Sequence, residues 1–130
     1  MIYLDTSVAL AHLLAEDRRP PEALWSGELV SSRLLEYELW TRLHARALAA
    51  THGDLARLLL ARVATLALSE EVLRRALHPF PAPVRTLDAL HLASIAFLRE
   101  EGHEVALATY DLGMSQAAGA MGIALCDFTR

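Results

Sequence analysis

Residues 1–7 read MIYLDTS. Ile2–Leu4 is short, apolar and β-prone, and a carboxylate, Asp5, ends it. That reads as a buried strand. Thr6 or Ser7 is then expected to cap a helix running to about Glu16, because either hydroxyl accepts an orphan backbone N–H. Strand, acid, helix is the unit from which a parallel α/β sheet is assembled. The same unit returns near the other end of the chain. Val105–Ala108 reads as a strand, Asp111 opens a helix to Gly119, and Ile123–Leu125 reads as a final strand.

Between these two units the pattern is mostly helical. Asp17–Pro21 reads as a charged loop, and Pro21 starts a short helix through Trp25 that Gly27 ends. Glu28–Ser31 reads as a second strand. From Arg33 to about Thr51, Leu35, Leu39, Leu43 and Ala47 recur every four residues, with Arg42 and Arg46 on another face. His52-Gly53-Asp54 reads as a stop and restart, which predicts a separate helix over Leu55–Ala64. Leu66–Leu68 is either a short strand or a helix end. Ser69 caps a short helix to about His78. The run Pro79-Phe80-Pro81-Ala82-Pro83 is a stiff loop. Thr86 is expected to cap a helix from Leu87 to about Glu100, apolar almost all round and therefore buried. No repeat or linker divides the chain, so residues 1–130 are expected to form one domain. Strands alternating with helices predict a short, mainly parallel sheet with helices on both faces.

Composition narrows the function classes. The chain is 54% apolar and 22% charged, which is a globular rather than a disordered balance. Cys126 is the only cysteine, so an internal disulfide and a cysteine-rich zinc site are excluded. No basic leader precedes the first strand, and no apolar run approaches the ~20 residues of a membrane span. A protein of the cytoplasm with no membrane partner is the expectation. The net charge is −4, and every fixed positive charge is an arginine, since lysine is absent. A broad basic face for nucleic acid is thereby excluded; any such binding needs local arginines or metal ions.

Four acids then stand out: Asp5, Glu38 in YELW, Asp88 in RTLDALHLA and Asp111 in ATYDLGM. Each has a plain reading alone. Asp111 is a good N-cap, Asp88 suits the first turn of a helix, Asp5 suits a turn, and Glu38 suits a helix face. Together they are different. Asp5, Asp88 and Asp111 fall at one edge of the inferred sheet, where open α/β folds place ligands. Oxygen-only donors at that edge suit Mg²⁺ or Mn²⁺ rather than zinc.

MIYLDTS, SSRLLEYEL, RTLDALHLA and TYDLGMSQAAGAMGI, in that order over Met1 to about Leu125, resemble the PIN-domain family, and most of all its compact VapC-type toxins of toxin–antitoxin pairs. The resemblance implies a three-layer α/β fold and Mg²⁺- or Mn²⁺-dependent endonucleolytic cleavage of RNA. It carries the family's acidic positions onto Asp5, Glu38 and Asp88 as core metal ligands. Asp111 completes the set, through water or a second ion. Thr6 and Thr109 match the small hydroxyl residues beside the first and last acids. The resemblance also implies a homodimer and a VapB-like antitoxin that lays a basic side chain into the acidic pocket.

Other residues carry weaker expectations. Glu36 lies two residues before Glu38 and so points elsewhere. His91 reads first as a structural histidine on a buried helix, with a metal or general-base role as the alternative. Arg85 either touches a scissile phosphate or is a solvated loop charge. Arg33, Arg42 and Arg46 read as helix-surface charge, with RNA or antitoxin contact as the alternative. Trp25, Trp40 and Cys126 read as packing residues. Two competing readings of the whole chain are a PIN-like interaction module and an RNA-processing nuclease that is no toxin. A phosphotransfer domain is disfavoured because no lysine exists to neutralise a phosphate.

Overall fold

The computed structural model describes residues 1–127. Five parallel strands form one sheet in the order β3-β2-β1-β4-β5. They are β1 (Ile2–Leu4), β2 (Leu29–Ser32), β3 (Ala64–Leu66), β4 (Ala106–Ala108) and β5 (Ala124–Leu125). Six helices cover it: α1 (Thr6–Leu13), α2 (Arg33–Ala45), α3 (Ala49–Ala61), α4 (Glu70–Ala76), α5 (Thr86–Glu100) and α6 (Leu112–Ala120). A short 3₁₀ turn over Glu22–Ser26 leads into β2, as the proline–glycine bracket predicts.

The three layers follow from the period-2 alternation of the strands. Leu4, Leu29 and Ala108 point to one face and join a core with Leu35, Leu39 and Leu43 of α2. Their neighbours Tyr3, Val30 and Leu107 point to the other and pack on Leu92 and Ile95 of α5. A strand with both faces covered cannot alternate apolar and polar residues, so MIYL reads as a continuous apolar run. Burial has a second consequence at Cys126, which packs against the first core and whose thiol is pushed up by that burial. Trp25 is buried and Trp40 half-buried on the same core.

The sequence reading is corrected in four places. Asp5 itself caps α1, accepting from the Ser7 backbone at 3.4 Å, and neither Thr6 nor Ser7 does so. Thr86 does not cap α5; Arg85 holds the cap position without a side-chain bond. The break between α2 and α3 falls at Arg46–Leu48, not at His52–Asp54. Ala47 takes the left-handed φ of 55° that usually calls for glycine. It is held there by a two-bond helix terminus, Leu48 N to Leu43 O at 2.8 Å and Ala47 N to His44 O at 3.1 Å. Gly53 instead sits inside α3, where an added Cβ would stand 3.2 Å from the Trp40 ring. Its missing side chain lets α3 close on α2. The third strand also begins earlier than expected, at Ala64.

Order and direction place the site. β1 lies between β2 and β4, and the chain leaves it toward β2 but returns later on the β4 side. That is a topological switch point, and the crevice above its carboxyl ends is where α/β folds hold ligands.

Candidate metal centre

Asp5 leaves the carboxyl end of β1 and Asp111 follows β4 by three residues. Glu38 comes from the second turn of α2 and Asp88 from the first turn of α5. All four line one open cleft of about 690 Å³. Helix starts converge here because a capping carboxylate both ends a strand and opens a helix. Asp111 does so for α6, accepting from Met114 N at 2.9 Å.

Of the inner pair Asp5 is buried and Glu38 partly buried, and both are bound by neutral donors or a histidine. Asp5 Oδ2 accepts from Ser7 Oγ at 2.6 Å and from Thr109 Oγ1 at 2.7 Å. Glu38 Oε1 accepts from Thr6 Oγ1 at 2.8 Å and meets His91 Nε2 at 2.7 Å. His91 is only 1% exposed, and its Nδ1 lies 2.7 Å from the hydroxyl of fully buried Tyr3. Burial opposes a charge on His91, but Tyr3, Glu38 and Asp5 around it outweigh that and push its pKa up to about 10. The imidazole is then cationic, and Nε2–H donates to Glu38. Burial alone would raise the Glu38 carboxyl; the bonds and charge of His91, with Thr6, hold it below its ordinary value.

The outer pair is bound by one exposed cation. Arg85 Nε donates to Asp88 Oδ2 at 3.2 Å and its Nη2 to Asp111 Oδ2 in a very short contact. Burial and the neighbouring charge of Asp111 still push the Asp88 carboxyl up, against the pull of Arg85. The site thus holds carboxylates displaced in opposite directions, as reaction centres commonly do.

Among the described residues, no three His, Cys, Asp or Glu side chains close around an ion position. The donor chemistry nevertheless fits a hard divalent cation. Asp5 Oδ1, Glu38 Oε2 and Asp88 Oδ1 take no hydrogen bond among the described residues, while the partner oxygen of each is bound. Oxygens with free lone pairs on three carboxylates of one cleft are what Mg²⁺ or Mn²⁺ coordinates. Arg85 supplies the positive charge that Asp88 and Asp111 otherwise lack.

A model of the PIN domain matches residues 2–120. The chain belongs to the PIN-domain family. Comparison with curated proteins gave no match, and neither did comparison with solved structures. PIN domains are generally nucleases, and PIN nucleases generally use divalent metals. The PIN cleft brings together all four acids named from the sequence, with Thr6 on Glu38, Thr109 on Asp5, and Arg85 across Asp88 and Asp111. Glu36 stands apart, paired with Arg33 on the helix surface. His91 is a packing residue and more, because it joins the two layers across the sheet edge. Tyr3 was not singled out from the sequence, and Ser7 only as a helix cap, not as a support of the site. The signal for His91 was there: a polar ring in an apolar helix needs a buried partner.

No helix among the described residues is long and apolar enough to cross a membrane.

Proposed function

We propose that this chain is a Mg²⁺- or Mn²⁺-dependent endoribonuclease that acts in the cytoplasm as the toxin of a toxin–antitoxin pair. The observation that carries the nuclease reading is the cleft: four carboxylates above the switch point, three of them with an unbonded oxygen. Asp5, Glu38 and Asp88 would hold the ion, with Asp111 completing the set. A divalent ion, when bound, supplies the positive charge that makes a phosphodiester open to attack by water. The chain's own residues do the rest. Thr109 and Ser7 fix Asp5, and Thr6 and His91 fix Glu38, so neither carboxylate turns away. Arg85 is exposed at the rim and, among the described residues, bound only to carboxylates, so it is free to exchange them for a phosphate oxygen. The toxin role, the RNA preference, the homodimer and the VapB-like antitoxin rest on the resemblance of MIYLDTS, RTLDALHLA and the other motifs to VapC-type chains.

Asp88→Asn keeps the shape and removes one charge. It is expected to abolish cleavage of total tRNA and rRNA in Mn²⁺ and to relieve growth inhibition on expression. Undiminished cleavage by that variant, or by the wild type in excess EDTA, contradicts the nuclease reading. Cleavage without growth inhibition contradicts only the toxin role and favours an RNA-processing nuclease.

A further inference from the structure

The cleft is not acidic throughout. Besides the carboxylates it is lined by Arg18, Arg42 and Arg46. Arg42 and Arg46 follow Glu38 at four and eight residues along α2. Successive steps of four residues advance about 6 Å along a helix and stay on nearly one face. Glu38, Arg42 and Arg46 thus form a stripe that leads away from the acids within the same cleft.

Arg33, Arg57, Arg74 and Arg85 each have a carboxylate within 4.0 Å. Arg62 and Arg99 donate to the backbone carbonyls of Trp25 and Met121, and Arg75 lies over the Phe80 ring. Among the described residues, Arg42 and Arg46 have no side-chain hydrogen bond, ion pair within 4.0 Å or ring contact, which they share only with Arg19, outside the cleft. Arg18 is held otherwise, its guanidinium 4.8 Å from the centre of the Tyr110 ring. The C-terminal dipole of α2 favours basic residues in its last turn, which accounts for their place on the helix. It does not account for both lying in the cleft with no bonded partner, Arg42 acting only at longer range on the Glu38 carboxylate.

We infer that Arg42 and Arg46, with Arg18 as a third contact, form a track for consecutive phosphates of a single RNA strand entering the carboxylate centre. The inference rests on the nuclease reading and adds to it the side from which the strand comes. Two cations without bonded partners, set beside four carboxylates in one cleft, suit the passage of a polyanion toward that centre. One helix-wide stripe offers contacts to one strand. A duplex would have to bring its second backbone against the acidic rest of the surface.

The test uses a fluorescein-labelled twelve-nucleotide oligouridine in Mg²⁺. Every protein carries Asp88→Asn to silence cleavage, and anisotropy is read against salt. Each phosphate contact on a single strand contributes about 0.7 to the slope of log K against log salt. Arg42→Gln and Arg46→Gln should each lower the slope by about 0.7 and, at 0.1 M salt, weaken binding roughly 5-fold, the pair roughly 25-fold. Arg33→Gln on the same helix, outside the cleft, should change nothing. Parental affinity in the double variant overturns the track, as does equal weakening by Arg33→Gln or the absence of measurable binding. Loss of binding to a partner protein with RNA affinity unchanged would assign the arginines to that partner and also overturn it. The wild type is assayed for cleavage in parallel. Arginine-dependent binding without cleavage sinks the nuclease reading alone; cleavage with arginine-independent binding sinks the track alone.

Discussion

Asp5 and Glu38, on the inner side of the cleft, are held by buried Thr109 and Thr6, by half-buried Ser7 and by a buried histidine that is itself anchored on Tyr3. Asp88 and Asp111, on the outer side, share one arginine whose side chain is 76% exposed. The inner half is part of the fold, since His91 ties α5 and Tyr3 of β1 to α2 across the sheet edge. The outer half is a surface clamp. Four carboxylates in one pocket must have their charge offset somehow. The contrast shows two means of doing so, a rigid one that fixes geometry and a loose one that can let go.

Stability separates the halves most strongly. His91→Leu removes the centre of the inner network and leaves Glu38 and the Tyr3 hydroxyl without their partner. Losing one member of a buried charged pair costs about 3–5 kcal/mol, and that loss is expected in urea unfolding. Arg85→Gln should leave the urea midpoint nearly unchanged, because an exposed pair is screened by solvent. Similar effects in the two variants would erase the distinction.

A smaller effect, of opposite sign in the two halves, is expected without metal. The Glu38 carboxyl sits below its ordinary value of 4.5, so its ionised form is favoured by folding. Its contribution is present above that value and lost as pH falls through the lowered one. The Asp88 carboxyl sits above its ordinary 3.8, so the folded state holds a proton the unfolded state has released, and stability falls as pH rises through that window. At pH 7 in EDTA, Glu38→Gln should therefore lower the melting temperature and Asp88→Asn raise it by a few degrees at most. His91 adds a third limb: its stabilisation is present below 6.5 and lost as pH rises through about 10. Calorimetric scans across pH check all three. A metal-free Asp88→Asn that melts lower would mean that Asp88 serves its helix start more than it repels its neighbours.

The division also follows what was legible in the sequence. The strands, the parallel sheet and the four acids could be read because each depends on local pattern: an apolar run, then a carboxylate at a helix start. The α2–α3 break could not. Ala47 carries no sign of its left-handed backbone, and Gly53, which does look like a terminator, is there for its contact with Trp40. Thr6 and Thr109 were named through the family resemblance, near the first and last acids, but that they bind Glu38 and Asp5 was not legible. His91 and Glu38 are 53 residues apart, and Tyr3 and His91 are 88 apart. Only the fold reveals that these residues meet. The arginine stripe lies between the two cases. The spacing of Arg42 and Arg46 was plain, but their lack of a bonded partner was not.

The most direct test of the metal centre is a Mn²⁺ titration of the purified protein, followed by calorimetry or by loss of the free-ion paramagnetic signal. The wild type should bind Mn²⁺ saturably, and Glu38→Gln should bind it at least about 10-fold more weakly, since removing a ligand costs no less than disturbing its support. A wild type that shows no saturable binding, or a Glu38→Gln protein that binds as well as the wild type, would contradict the assignment of this cleft as a metal centre.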